Sequence, residues 1–315
     1  MTYEVVIPAR NAVRTLSLTL TSLQRQTVPP ARITVVDDGS SDGTASVIKA
    51  HGVASITTTG LGLPEAQNLG LFGVTEPFVA FVDADDVWTV GAAGRLISTL
   101  RTDPTLGAVA GQARTFEADI PGETVLSWAQ AKHETPSPVH VITPGELWRA
   151  NAATKSGTMF RTDMIRDVGG YRPLVSAEDY DLLLRSMAWG WNLATLAEPL
   201  CWRLTSTTTM TANSARMFQG ELAALEDFYA SEFRKTRLPY ADLRRRQRQA
   251  WFRALARDAR FHGNLHSSPA PPGPILFASI VQRALAGRLG TALAFGWRTA
   301  ARAREFSPCR TGERP

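Results

Sequence analysis

Short apolar runs alternate with stretches of helical hydrophobic spacing along the first third of the chain. The apolar runs predict strands over 3–7, 33–36, 53–58 and 78–82. Between these runs, apolar positions at helical spacing predict helices over 13–26, 44–50 and 64–72. This alternation is typical of βαβ units, so we predict an α/β domain with a mostly parallel, nucleotide-binding type of sheet. Ligands of such sheets bind beyond the carboxyl ends of the strands.

The pattern becomes less regular after the fourth strand. A further helix is predicted over 89–101, and short apolar runs interrupted by Pro and Gly predict edge strands within 106–143. Beyond that segment, helices are predicted over 144–150, 163–171 and 178–188, and strands over 156–161, 193–196 and 200–204. Amphipathic helices are predicted over 213–233, 240–262 and 275–304.

Composition and targeting signals predict a cytoplasmic globular protein. Hydrophobic residues make up 44% of the 315, an ordinary fraction for a globular chain. Cys201 and Cys309 lie far apart without metal-ligand spacing, which indicates a reducing compartment and no disulfide framework. No signal peptide is visible, and no apolar run reaches the ~18 residues that a spanning helix needs.

Charge is distributed unevenly along the chain. Residues 234–315 carry 17 Lys and Arg against 4 Asp and Glu, a net charge of +13, although the whole chain has +5. This asymmetry predicts a separate basic helical extension over 213–315. Its basic face is either simply solvated, or it contacts the inner face of an anionic membrane peripherally, or it docks on the catalytic domain or a second subunit. No nucleic acid is expected, because no binding motif accompanies the charge.

The stretch FVAFVDADDVW (78–88) ends a predicted strand in three carboxylates, Asp83, Asp85 and Asp86. Mg²⁺ and Mn²⁺ prefer such oxygen ligands, usually one or two carboxylates together with substrate phosphates. The stretch therefore indicates a metal-bridged diphosphate site at the tip of a parallel strand. The alternative is a strand-to-helix turn whose Asp side chains cap the following helix.

Two further motifs allow both a functional and a structural interpretation. In DDGSSDG (37–43), Asp37 or Asp38 could bind a base or ribose, or could form an ordinary Asx turn. In SAEDYDLLLR (176–185), Ser176 and Asp179 fit a capping box, whereas a carboxylate at a helix start could instead face a cleft as a general base. The glycine-rich stretch GLGLPEAQNLG (60–70) matches neither a Walker loop nor GxGxxG.

Taken together, the motifs carry more information than any one of them. VVIPARN, VVDDGSSDGT, the GxxxAxNxG-like stretch, FVDADD and AEDYDLLLR occur in this order over roughly residues 1–205. In combination they resemble the family 2 glycosyltransferases. The resemblance implies a GT-A nucleotide-diphospho-sugar transferase fold and inverting sugar transfer that depends on Mg²⁺ or Mn²⁺.

The resemblance also implies roles for individual residues. Pro8, Ala9 and Asn11 would lie beside the nucleotide, Asp37 or Asp38 would contact the base or ribose, and Asp83 would line the ribose. Asp85 would be the principal metal ligand, with Asp86 nearby. Asp179 would be the catalytic base, with Glu178 beside it, and Gly157, Thr158 and Met159 would lie on the acceptor side.

The chain departs from the family pattern at two places. Gln67 stands where the family usually has Arg, which removes a cationic contact to the nucleotide. The His that often follows the Arg matched by Arg203 is absent, so diphosphate contact there would need Arg203 or the Ser and Thr residues of 205–209.

These observations lead to one function and one alternative. The function is transfer of a sugar, from a UDP-sugar by preference, to a glycan, lipid-linked or other acceptor in polysaccharide or glycoconjugate biosynthesis. The alternative is a catalytically silent GT-A module that binds nucleotide or glycan as a partner protein. The predicted domains are a catalytic domain over 1–212, with a nucleotide half to about 103 and an acceptor half from about 104, and the extension over 213–315.

Overall fold

The structure is a computed structural model, and it describes residues 2–130, 137–149, 151, 153, 155–174, 176–205, 220 and 224. The predicted basic extension lies outside the described residues except for Gly220 and Ala224, both helical. Its helices and the domain boundary at 212 therefore stay predictions.

Nine strands and eight helices make up the described part of the chain. In order these are β1 (Tyr3–Ala9), α1 (Leu16–Gln24), β2 (Arg32–Asp37), α2 (Thr44–His51), β3 (Ala54–Thr57), α3 (Leu63–Phe72), β4 (Phe78–Phe81), β5 (Asp86–Trp88), α4 (Ala92–Thr102), β6 (Leu106–Glu117), α5 (Gly122–Ala129), β7 (Val139–Val141), α6 (Pro144–Arg149), β8 (Thr158–Arg161), α7 (Thr162–Asp167), α8 (Glu178–Ala188) and β9 (Asn192–Thr205). A single 3₁₀ turn, Lys155–Gly157, leads into β8.

The strands form one mixed sheet in the order β3-β2-β1-β4-β8-β6-β9-β5, with β7 added on β9. Strands β3, β2, β1 and β4 are parallel, and β8 runs antiparallel between β4 and β6. All seven residues of β1 are buried, as expected for a parallel strand covered on both faces. The sheet confirms the predicted architecture of a mostly parallel sheet flanked by helices.

Close packing of α3 against the sheet depends on a glycine. A Cβ at Gly70 would collide with the Val6 side chain of β1 and would come within 3.2 Å of the Val36 side chain of β2. The helix therefore lies directly over β1 and β2, whose carboxyl ends carry the Asn11 loop and the acidic Asp37–Asp38 loop. Gln67, one turn earlier in α3, is consequently enclosed near that edge of the sheet.

The prediction of edge strands within 106–143 is confirmed only for β7, a three-residue strand that pairs with β9 alone, and is wrong for the rest of the segment. Strand β6 is twelve residues long and lies inside the sheet between β8 and β9, and the following residues form helix α5. The two short strands predicted near 193–204 are one strand, β9. Its apolar pattern is interrupted at Glu198 and Pro199, and irregularities in the β6–β9 register accommodate the proline.

Within the part of the chain that the structure describes, none of the helices combines the length and the apolar character needed to cross a bilayer.

Candidate active site

Hydrogen bonds join the loop after β1 to the loop after β2. Asn11 has a positive φ of 53°, a conformation that Asn tolerates better than most residues. Its side-chain Oδ1 accepts from the backbone N–H of Ser41 at 2.9 Å, and its own N–H donates to Ser40 Oγ at 2.9 Å. Ala9 O, at the end of β1, accepts the N–H of Asp38 at 2.8 Å. Pro8, Ala9 and Asn11 thus form a preorganised rim beside the acidic loop.

The two acidic residues at the end of β2 have different partners. Asp37 Oδ1 accepts the N–H of Ser40 at 3.0 Å, which is the turn predicted as the structural alternative. Asp38 accepts the N–H groups of Leu61 at 2.6 Å and Gly62 at 2.9 Å. Burial opposes ionisation of Asp38, but these bonds and one from Thr58 outweigh it and lower its pKa. Asp38 therefore holds the glycine-rich loop against the end of β2.

Gln67 is fully buried in α3, and neither its Oε1 nor its Nε2 makes a hydrogen bond within the described residues. Leaving a buried polar group unpaired costs about 1–3 kcal/mol. The Gln67 amide can therefore still donate one hydrogen bond and accept another, from a water molecule or from a ligand.

The carboxylates after β4 form a tight turn that leads into a strand. The N–H of Asp86 donates to Asp83 O at 3.1 Å, and Asp86 opens β5, which pairs with β9. Helix α4 begins later, at Ala92, behind the left-handed Gly91. The helix-cap alternative for Asp83, Asp85 and Asp86 is therefore wrong.

Burial and mutual repulsion raise the pKa values of two of these carboxyls. Burial, and then the charge of Asp83, raise the pKa of Asp85 to about 6. The same two causes raise the pKa of Asp86 well above its usual range, with Asp85 contributing further. Arg203 Nε, from the facing strand β9, lies 3.8 Å from Asp86 Oδ2 and opposes both shifts. This local excess of negative charge favours a bound cation.

The carboxylates fit a divalent cation that shares its coordination with a substrate. Among the described residues, no three His, Cys, Asp or Glu side chains converge on one point, so these residues alone do not form a complete metal cage. Asp86 Oδ2, however, is buried and accepts no hydrogen bond from any described group. One or two carboxylates with substrate phosphates are the usual magnesium arrangement, and that arrangement matches Asp85 and Asp86.

The turn before β8 brings two further residues to the same edge, and sequence reasoning missed both. Because β8 runs antiparallel to β4, its amino end meets the carboxyl end of β4. Ser156 Oγ accepts the N–H of Asp83 at 3.0 Å, and Lys155 Nζ lies 2.7 Å from Asp83 Oδ1. Trp88 Nε1 donates to Ser156 O. No local motif marks Lys155 or Ser156, because only the antiparallel pairing brings them to this edge.

Helix α8 presents Glu178 and Asp179 at its first turn. The helix follows Ala177, whose φ of 61° is unusual for a residue with a Cβ. The N-cap position is occupied by Ala177 rather than Ser176, and Ala has no polar side chain, so the capping box with Ser176 as its cap is wrong. Asp179 Oδ2 instead accepts Asn151 Nδ2 at 3.0 Å, and its Oδ1 accepts the N–H of Tyr180 at 2.8 Å.

The environment of Asp179 suits a proton acceptor. Burial, followed by the charge of Glu178, raises the pKa of Asp179 to about 6, whereas Lys155 and the bonds from Tyr180 and Asn151 act in the opposite direction. A carboxylate with this pKa is mostly ionised at neutral pH and more basic than an ordinary Asp.

The segment predicted to face the acceptor is largely buried. Thr158 and Met159 belong to β8, and Met159 packs in the core between β4 and β6. Gly157 ends the turn that carries Lys155 and Ser156. Contact of Gly157, Thr158 or Met159 with an acceptor stays a prediction, and the Met159 side chain itself contributes to packing.

An open pocket of about 490 Å³ lies beside the ends of β6 and β9, with Trp128, Trp202 and Arg114 among its lining residues. The two indole rings lie 5.1 Å apart between centroids, and the Arg114 guanidinium lies 5.5 Å from the Trp202 ring centre. Successive residues of a strand point to opposite faces, so Trp202 points away from the face on which Arg203 meets Asp86. The pocket is therefore separate from the carboxylate cluster.

Comparison with known proteins explains this arrangement. The family model described as Glycosyl transferase family 2 matches residues 4–168. The chain belongs to glycosyl transferase family 2. An uncharacterized glycosyltransferase of Mycobacterium tuberculosis is 31% identical over 200 residues, covering 61% of this chain and 82% of the relative. A poly-β-1,6-N-acetyl-D-glucosamine synthase of Staphylococcus epidermidis is 28% identical over 212 residues, covering 63% of this chain and 48% of that protein.

Solved structures confirm the GT-A fold of this family 2 glycosyltransferase. S. aureus TarS 1–349 in complex with UDP-GlcNAc superposes with a TM-score of 0.59 at 15% identity, covering 81% of this chain and 73% of TarS. The mannosyltransferase PcManGT of Pyrobaculum calidifontis, in complex with GDP-Man and Mn²⁺, gives a TM-score of 0.57 at 20% identity, covering 91% and 80%. The chain is therefore a transferase built on the GT-A fold, as the sequence motifs predicted.

Proposed function

We propose that this glycosyltransferase inverts the anomeric centre of its donor in a single displacement, with Asp179 as the general base. One observation carries the proposal. Lys155 lies 2.7 Å from Asp83, at the nucleotide side, and 3.4 Å from Glu178, next to Asp179. A candidate base and a set of candidate diphosphate-side carboxylates therefore share one site, as an in-line displacement requires.

Asp179 acts on the acceptor. Its carboxylate accepts the proton of an acceptor hydroxyl while that oxygen attacks the anomeric carbon, and the bond to the diphosphate breaks on the opposite face. No enzyme nucleophile is needed for a single displacement. Asn151 holds one oxygen of Asp179 by its 3.0 Å hydrogen bond, which orients the carboxylate.

The donor is bound by the edge of the sheet. Asp37, Asp38 and the rim at Pro8, Ala9 and Asn11 surround the nucleoside, and Asp83 lines the ribose. Gln67 offers an unpaired amide near the same edge of the sheet.

Asp85 and Asp86 would hold Mg²⁺ or Mn²⁺, and the ion would neutralise charge that develops on the departing diphosphate. The structural neighbours TarS and PcManGT bind UDP-GlcNAc and GDP-Man, which supports a nucleotide sugar as the donor, and we propose a UDP-sugar, as in TarS. The acceptor is a hydroxyl of a glycan or lipid-linked molecule in polysaccharide or glycoconjugate biosynthesis, in line with the synthase relative. We propose that the enzyme acts on the cytoplasmic side, with peripheral membrane contact through the basic extension.

A panel of nucleotide sugars with and without Mn²⁺ tests the function. We expect release of nucleoside diphosphate from one donor, and inversion at the anomeric carbon when product stereochemistry is followed by NMR. Asp85→Ala should abolish both metal-dependent donor binding and turnover, because it removes the main oxygen ligand. Retention of configuration, or full turnover by Asp85→Ala, would disprove the mechanism.

A further inference from the structure

Lys155 connects three separate elements at the centre of the site. It lies in the turn before β8, and its Nζ contacts Asp83 Oδ1 at 2.7 Å, after β4, and Glu178 Oε1 at 3.4 Å, at the start of α8. Only 8% of its side chain is exposed. Each of these distances is short enough for a charge-assisted contact, so one ammonium group spans the nucleotide side and the base side.

A lysine in this position is costly, and this cost indicates a role. Confining its long side chain costs conformational entropy, and burial disfavours its charge. The pKa of Lys155 is nevertheless raised, because Asp83 and Glu178 outweigh burial, with a further contribution from Asp179. The ammonium therefore stays charged throughout the physiological range.

The charges around the site explain why a cation is needed here. Asp83, Asp85, Asp86, Glu178 and Asp179 supply five carboxylates. Arg203 is placed against the Asp86 end, at 3.8 Å. Lys155 lies beside Glu178, at the start of α8. A metal ion held by Asp85 and Asp86 would not compensate the repulsion between the neighbouring carboxylates of Glu178 and Asp179.

We infer that Lys155 is a positioning residue of the transfer reaction: it ties Asp83 to Glu178 and so holds the nucleotide side and the base Asp179 at a fixed separation. This inference rests on the proposed function of Asp179. It assigns Lys155 no contact with the donor or acceptor, because only 8% of its side chain is exposed and its ammonium contacts two carboxylates of the protein.

Lys155 also affects the proton affinity of Asp179. The charged and titratable groups that act on Asp179 are Glu178 from α8, Lys155 from the turn before β8, Tyr171 after α7 and Arg203 in β9. Lys155 favours ionised Asp179. Removing its charge should therefore raise the pKa of the base, so that activity is lost at a higher pH on the acidic side.

Three variants test this inference. Lys155→Met keeps the length of the side chain but removes the charge, Lys155→Arg keeps the charge, and Lys49→Met is a control at an exposed lysine. We expect Lys155→Met to lose about tenfold or more in kcat with a smaller change in donor KM. The acidic limb of its pH–rate profile should move up by about one pH unit. Lys155→Arg should recover the position of that limb. A Lys155→Met enzyme whose kcat and pH profile match Lys49→Met would overturn the inference.

A second comparison covers the case in which Lys155→Met does not fold. Glu178→Gln keeps an acceptor oxygen but removes the negative charge that Lys155 contacts, so it weakens the same contact from the other side and should also lower kcat. Its acidic limb should move to lower pH, because a negative neighbour of Asp179 is gone. Unchanged kcat and an unchanged limb in Glu178→Gln would contradict the inference.

A measurement without substrate separates this inference from the proposed function. Carboxyl ¹³C NMR follows the titration of Asp179 in the free protein, assigned with Asp179→Asn. The midpoint should rise in Lys155→Met and return towards the wild-type value in Lys155→Arg. If the wild-type protein transfers no sugar but these shifts occur, the proposed function fails and the electrostatic link between Lys155 and Asp179 stands. If the midpoint of Lys155→Met equals that of wild type, this link fails.

Discussion

Replacing Asp179 by Asn removes the proposed base while changing the side-chain shape little. Asp179 accepts Asn151 Nδ2 with one oxygen and the Tyr180 N–H with the other, so Asn, which has a single side-chain oxygen, keeps only one of these bonds. The loss of one such bond costs about 1–3 kcal/mol, less than the stability of a typical domain. We therefore expect a folded protein that binds its donor with unchanged affinity and has lost transfer.

The size of the loss follows from general base catalysis. A positioned base contributes typically about 10²–10⁴-fold to the rate, equivalent to about 3–5 kcal/mol of transition-state stabilisation. The sign of the pH dependence follows from the raised pKa of about 6. The base acts only when ionised, so wild-type activity should rise about tenfold between pH 5 and pH 7 and then level off. In Asp179→Asn this rise should disappear from the residual rate.

The assay measures kcat and KM for nucleoside diphosphate release across this pH range, and donor Kd by calorimetry. Asp163→Asn is the matched control, because Asp163 is an exposed carboxylate in the first turn of α7 and should behave as wild type. Normal transfer by Asp179→Asn, or an unchanged acidic limb in the residual activity, would refute the assignment. A large rise in donor Kd would place Asp179 in donor binding instead.

Two further predictions concern buried polar groups. Gln67→Leu should raise the free energy of unfolding of the free protein by about 1 kcal/mol, since it removes an unpaired buried amide. It should also reduce the rise in Tm that the donor produces. A donor-dependent rise in Tm equal to that of wild type would show that Gln67 does not contact the donor. Asp181→Asn should destabilise the protein by about 3–5 kcal/mol in urea unfolding, because it removes a buried carboxylate charge that lies 2.8 Å from the guanidinium of Arg185, itself 1% exposed. A loss under 1 kcal/mol would contradict this. The exposed pair His140–Glu146 is the control, and Glu146→Gln should unfold at nearly the same urea concentration as the wild-type protein.

Local patterns in the sequence were sufficient to predict many of the helices and strands. The helix over 178–188 matches α8 at both ends, and the first four predicted strands are β1 to β4 with small differences at their ends. Such elements are encoded within a few residues by periodicity and turn residues. The irregular stretch after α4 was predicted poorly, because β6 and β9 are stabilised by pairing with each other across some ninety residues.

The candidate site likewise has features that the sequence predicts and features that only the tertiary structure decides. The order of the acidic motifs by itself identified the family, the GT-A fold and the candidate residues at the carboxyl ends of β1, β2 and β4. Only the tertiary structure decided that Asp86 begins a strand rather than capping a helix, that Asp38 holds the 60–62 loop, and that Gln67 is buried without a partner. It alone brought Lys155 between Asp83 and Glu178. The physical reason is that a motif specifies which groups are present, whereas the charge and burial of each group depend on neighbours that are distant in sequence.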